Sequence, residues 1–221
     1  MADHAAIKAE LVELSARTEI GFDKEHPDVL RIKELAVALE AFNPTVAPSR
    51  KRDLLRGRWR MLYSSFGVER DTTLGRLTFR KFPDTAIHIQ NIWQEIDPDT
   101  GLYDNSIALT GPDGTISMNV VRGRYEPHDD YRMDVVFFDT FCATDDGRSA
   151  ADYAASIGLA GPEALYQEIA KTPPLHSTLT YLDEDLRLNR GSYGNLYVVQ
   201  RETPLGQEVD GGWNRNRQMA V

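Results

Sequence analysis

The sequence predicts a mainly β protein: an antiparallel barrel of about eight strands with N-terminal helices and a helical insert. Three observations predict it. Apolar residues recur at helical spacing before Pro44, they then alternate with polar ones from Gly57 to Phe138, and short turn motifs rather than helical crossovers separate the alternating runs. About eight strands close a barrel that side chains can fill or that can hold one small ligand.

The first helix carries Ile7, Leu11 and Leu14 on one stripe, widened by Val12, and ends near Thr18 to Gly21. A second starts at Pro27, a favoured first-turn residue, and turns Val29, Leu30, Ile32, Leu35, Ala36, Leu39 and Phe42 toward one side until Asn43-Pro44 stops it. Ser49 is placed to cap one more turn through Leu55, closed by Gly57. Strands are then expected at Trp59, Met61 and Tyr63; at Leu77 and Phe79; at Ile87, Ile89 and Trp93; at Ile107 and Leu109; at Ile116, Met118 and Val120; and at Tyr131, Met133, Val135 and Phe137. Phe82-Pro83-Asp84, the run from Asp97 to Gly101, Gly111-Pro112-Asp113-Gly114 and Glu126-Pro127-His128-Asp129 read as turns. The helical period returns over 149–171, interrupted by Gly158 and Gly161-Pro162, and two strands near Ser177 to Leu182 and Gly194 to Gln200 complete the count. This divides the chain into a helical segment over 1–54, a barrel over 55–202 with its insert at 149–171, and a loose tail over 203–221.

The 221 residues are 41% hydrophobic and 27% charged, an ordinary globular composition. Against 34 acidic residues stand 25 Lys and Arg, a net charge of −9 that disfavours nucleic acid and tight docking to an anionic membrane. No apolar run approaches the roughly 20 residues of a spanning helix. Cys142 is the one cysteine, so no disulfide forms within the chain, and with no activating charge beside it Cys142 reads as a small buried hydrophobe. The opening MADHAAIKAELVEL has neither a basic segment leading into an apolar one nor the Arg- and Ser-rich character of a transit peptide, which predicts a cytoplasmic location.

Two segments carry the most information. In LRGRWRMLYSS, Gly57 and Trp59 open the first barrel strand, and a late Arg187 or Arg190 is placed to stack on the indole and plug one end, as in lipocalin-type barrels. YLDEDLRLNRGSYGNLYVV, from Tyr181, resembles the C-terminal signature of the plastid lipid-associated protein family, the plastid fibrillins. The Leu55 to Ser64 run resembles the opening of the same domain. The resemblance implies a lipocalin-like barrel associated with lipids or small apolar molecules. Without a transit peptide, and with the insert at 149–171, a bacterial member is expected.

Met61, Tyr63, Phe79, His88, Trp93, Met118, Met133 and Phe137 are the expected lining of a lipophile pocket, although the apolar ones would equally fill a closed core. His88 has a second reading as a hydrogen-bonded structural histidine, and no second metal ligand follows it at useful spacing. Arg122, Arg124 and Arg132 are candidates for an acidic head group or for a solvated outer face. The expected function is non-enzymatic carriage of a lipid, carotenoid, quinone or related pigment, with no metal, cofactor or catalytic residue and at most weak peripheral membrane contact. An enzyme is the alternative, with Asp183 or Asp185 and His88 moving protons, provided these groups converge in one pocket. A scaffold docking through Ile7, Leu11 and Leu14 is the third reading, provided that stripe is exposed.

Overall fold

Trp59 lies opposite Gln94 on one side and Arg201 on the other, so the first barrel strand pairs with both an early strand and the last one, and the sheet closes on itself. The computed structural model describes residues 4–78, 80, 82–158 and 173–202. In chain order they form α1 (His4–Arg17), α2 (Asp28–Glu40), a 3-10 turn (Pro48–Arg50), α3 (Arg52–Leu55), β1 (Gly57–Ser64), β2 (Asp71–Thr73), α4 (Leu74–Leu77), β3 (Ala86–Asp97), β4 (Leu102–Thr110), β5 (Ile116–Pro127), β6 (Arg132–Thr144), α5 (Ala150–Ser156), β7 (Leu175–Leu182), β8 (Leu186–Gly191) and β9 (Leu196–Arg201). All ladders are antiparallel, in the order β1-β9-β8-β7-β6-β5-β4-β3, and β1 to β3 closes a ring of eight strands with β2 beside β3.

The ring has eight members, but one differs from expectation. Leu77 ends α4 rather than starting a strand, because the Thr73 side chain accepts from the Arg76 N–H and caps a helical turn. In its place stands β8, which is not among the expected strands; Asp183 to Asp185 form the turn before it, Asp183 Oδ1 accepting from the N–H groups of Asp185 and Leu186. Ser49 caps no helix and instead donates to the Asp129 carbonyl. In the expected insert, Ser149 caps α5 by accepting from the Asp152 N–H. The second insert helix and the tail beyond Glu202 lie outside the described residues.

Three side-chain clusters fill the two ends and one outer face. Leu55, Trp59, Met61, Ile96, Tyr103, Tyr125, Met133, Val135, Phe137, Leu179, Leu182 and Val199 pack inside the barrel toward its closed end. Gly123 belongs to this packing: a Cβ there would stand 2.9 Å from the Phe137 ring and 3.0 Å from the Tyr103 carbonyl. Toward the other end, Ile87, Ile89, Leu109 and Cys142 meet Leu74 of α4 and Tyr153 and Ile157 of the insert. Burial pushes the Cys142 thiol up to about 11, the inert state expected of it.

Helices α1 and α2 cover the outside of β1 and β7 to β9. Leu11, Ile32, Leu35, Ala36 and Leu39 pack on Leu62, Tyr63, Tyr181, Leu186, Leu188, Leu196 and Val198, with Ile7 and Leu14 against the same cluster. Each such aliphatic side chain contributes about 1.5–3 kcal/mol on burial. The stripe proposed for docking is therefore turned into the protein. Lys8 fastens α1 to the β7–β8 turn through Asp183, at 2.7 Å, and Asp185.

Burial opposes ionisation of Asp183, but hydrogen bonds from Lys8 and Tyr181 outweigh it and hold the carboxyl at about 2. Its folded value lies below the unfolded one near 3.9, so its contribution is complete above about pH 4 and fades as pH falls toward 2. Allowing for partial exposure, that contribution is on the order of 1 kcal/mol. Asp183→Asn is expected to be less stable than the parent by this amount at pH 7, with the difference closing by about pH 2; urea midpoints across that range measure it.

Candidate functional site

Alternation along β1 and β3 places Trp59, Met61, Gln94 and Ile96 inside the barrel. Trp59 is fully buried and donates from Nε1 to the Leu55 carbonyl at 3.0 Å. Gly57, at φ 133°, supplies the backbone turn from α3 into the strand, a conformation costly for any residue with a Cβ. The Arg187 guanidinium lies 4.9 Å from the centre of the Trp59 ring, and that of Arg201 lies 4.2 Å from it. Arg201 was not among the expected plug residues, although it ends the last strand in register with Trp59. It donates to the carbonyls of Leu54, Arg56 and Glu184, tying α3 and the β7–β8 turn across the barrel end. Arg190 is not part of the plug: three residues along β8 from Arg187 it points outward and pairs with Glu40 of α2 at 3.0 Å.

Arg187 is fully buried. Its Nη2 donates to Gln94 Oε1, while Nε and Nη1 have no hydrogen-bond partner. Among the described residues no carboxylate pairs with it. Burial lowers its pKa and the neighbouring Tyr103 hydroxyl opposes that. Burial likewise brings Arg201 down to about 10, with the Arg187 charge adding to the effect.

Beyond Arg187 the interior opens into a cavity of about 140 Å³. Val135, Phe137, Leu175 and Tyr197 form apolar walls, Gln94, Tyr103, Asn105, Ser177 and Asn189 a polar floor, and Phe66, His176, Gly191, Ser192 and Tyr193 its remaining boundary. It forms where the β6–β7 ladder stops: the last pair is Val135 with Leu175, and among the described residues β6 runs on to Thr144 paired with β5 alone. Asn189 Nδ2 donates to Ser177 Oγ at 3.0 Å, and Asn189 Oδ1 is buried without a partner. Phe66 also borders a second, mainly apolar cavity of about 50 Å³ among Ile20, Phe22, Val68, Leu77, Ile89 and Ile92.

The expected lining residues divide. Met61 and Met133 are interior and packed in the core, and Phe137 walls the cavity. The other described ones face outward, for reasons of register. A bulge between Met61 and Tyr63 turns Tyr63 toward α1 and α2. A bulge between Ile89 and Asn91 exchanges the faces of β3, sending Trp93 out and Gln94 in. Trp93 then stacks with Arg58 at 4.4 Å and donates to Glu202. His88 is exposed and hydrogen-bonded to Asp71 at 2.7 Å, the structural role. On β5 the interior set is Ser117, Asn119, Val121, Gly123 and Tyr125, so Met118 lies outside with Ala108, Val120, Trp93 and Phe141. Phe79 lies outside the described residues.

Asp183 and Asp185 face Lys8 while His88 faces Asp71, so the groups required for the enzymatic alternative do not meet. Arg122 pairs with Asp104, Arg124 lies over Phe138 and Arg132 pairs with Asp134, an outer face with no common focus. No cluster of metal-ligating side chains occurs among the described residues. Truncating a fully buried indole at the barrel end leaves a large void: Trp59→Ala is expected to cost about 3–5 kcal/mol in chemical denaturation, against under about 1 kcal/mol if Trp59 bore no packing role.

The PAP_fibrillin family model matches residues 5–200. The probable plastid-lipid-associated protein 1, chloroplastic, of Arabidopsis thaliana is 26% identical over 89% of this chain and 69% of its own length. Plastid lipid-associated protein 3, chloroplastic, of Brassica campestris is 28% identical over 84% of this chain and 57% of its own. The chromoplast-specific carotenoid-associated protein, chromoplastic, of Cucumis sativus is 26% identical over 89% of this chain and 67% of its own. Against the Brassica protein the chain thus spans little more than half of its relative's length. With a matching family model over most of its residues and a closed antiparallel ring behind the two segments that resembled it, the chain belongs to the PAP_fibrillin family.

Proposed function

We propose that this chain binds one end of a small lipophilic molecule in the cavity between β6, β7 and β8, without catalysis. The observation that carries the reading is the lining: apolar walls at Val135, Phe137, Leu175 and Tyr197 over a floor of neutral polar groups, the composition of a site that buries a hydrocarbon and orients it by a few hydrogen bonds. The names of the relatives, which associate plastid proteins with lipids and carotenoids, support the same class of ligand.

Size narrows it. An apolar cavity of roughly 150 Å³ takes a molecule the size of benzene, and this one measures about 140 Å³. A head group, a ring or a short stretch of chain fits. A whole carotenoid does not, because Met61, Ile96, Met133 and Leu179 fill the interior below. The rest of a longer ligand lies outside the barrel.

The purified protein is expected to release a lipophile into organic solvent, identified by mass spectrometry, and to bind lipophiles saturably. Leu175→Trp, which fills the cavity from its apolar side, should weaken that binding at least tenfold with the fold retained by circular dichroism. Absence of any extracted lipophile together with absence of saturable binding would overturn the proposal.

A further inference from the structure

The interior positions of β8 are Arg187, Asn189 and Gly191, in order from the closed end outward. Asn189 and Gly191 border the cavity, and Arg187 lies one position deeper. Gln94 and Tyr103 connect the two levels: both line the cavity, Gln94 accepts from Arg187 Nη2, and the Tyr103 hydroxyl adjoins the same guanidinium. A fully buried cation with two unmatched N–H groups and no carboxylate partner among the described residues is costly to keep. A structural plug explains only part of it. Arg201 already stacks closer on Trp59 and uses its donors on three backbone carbonyls. The plug therefore leaves the charge of Arg187 and the unpartnered Asn189 amide unexplained.

Asn189 belongs to the polar floor of a cavity with hydrocarbon walls, and Arg187 lies behind that floor. We infer that the ligand is a single-chain amphiphile with a carboxylate head, the head seated at Gln94, Tyr103 and Asn189 with the Arg187 charge behind it, and the chain leaving along Val135, Phe137 and Leu175. The inference rests on the reading of the cavity as a lipophile site and adds the sign and number of the ligand's charges. One buried cation is matched by one negative charge, which favours a monocarboxylate over a doubly charged phosphate monoester. Asn189 suits the role, because its amide oxygen and nitrogen exchange places on rotation. The structure has Asn189 Nδ2 donating to Ser177 Oγ; with the amide turned over, Ser177 Oγ would donate to Oδ1 and the NH2 group would face the head.

Isothermal calorimetry with decanoate, decanol and methyl decanoate, each below its micellar or solubility limit, tests it. The parent protein should bind decanoate at least tenfold more tightly than the alcohol or the ester. Gln94→Glu places a carboxylate beside Arg187 and supplies the missing counter-charge. It should bring decanoate down to the affinity of decanol and should not lower the melting temperature. Should Gln94→Glu fail to fold, Arg187→Met carries the same readout. Equal affinity of the parent for all three ligands, or decanoate binding unchanged in the variant, would overturn the carboxylate inference and leave lipophile binding standing. Failure of all three to bind would overturn the carboxylate inference, and lipophile binding would then stand or fall on the extraction experiment.

Discussion

Two arginines over one buried indole hold the end of this barrel. Trp59 stands where β1 meets both β3 and β9, so its ring lies at the point where the sheet closes. Arg201 binds the carbonyls of the α3 segment and the β7–β8 turn, and it does so only while its own strand is in register with β1. Closure, register and the capping of one end are thus the same event. A sheet of this size left open would have exposed two edges of unpaired backbone groups; here β1 and β3 satisfy each other.

The cation–π contacts also set the character of the interior. Arg187 is kept inside by its contact with Trp59 and its bond to Gln94, so the cavity above it has a charged base although its own lining is neutral. In a medium of low effective dielectric such a charge acts over several ångströms. The cavity exists because β7 starts late relative to β6, so the ladder between them ends at Val135 and Leu175. A stop in pairing next to a buried cation is what makes this part of the interior a cavity rather than more core.

Much of the architecture was legible in the residues. The change of period near Gly57, the proline and glycine turns, and the two apolar helices with their stripes correctly indicate an antiparallel ring with helices against it. The site was less so. Tyr63, Trp93 and Met118 look equivalent to Met61 and Met133 in the sequence, yet the first three face outward. Two of these exchanges come from bulges, each a single extra residue that reverses every side chain after it. The third reflects a strand whose outer face carries the larger apolar residues while its inner face uses Ser117 and Asn119 to bond Tyr153 of the insert. Hydrophobic alternation reports that a strand is half-buried, and both faces of β5 are covered.

The sequence by itself determined the fold class, the family and the presence of an aromatic–cation pair at one end, because these follow from periodicity, turn chemistry and two local motifs. Only the tertiary structure decided which residues meet. Arg187 and Gln94 are separated by more than ninety positions and are joined by ring closure. Arg190, three residues from Arg187, faces Glu40 on the opposite side of the sheet. Inside and outside in a strand differ by one residue of register, and that register is set by bulges and by closure of the whole ring, which no local window of residues contains.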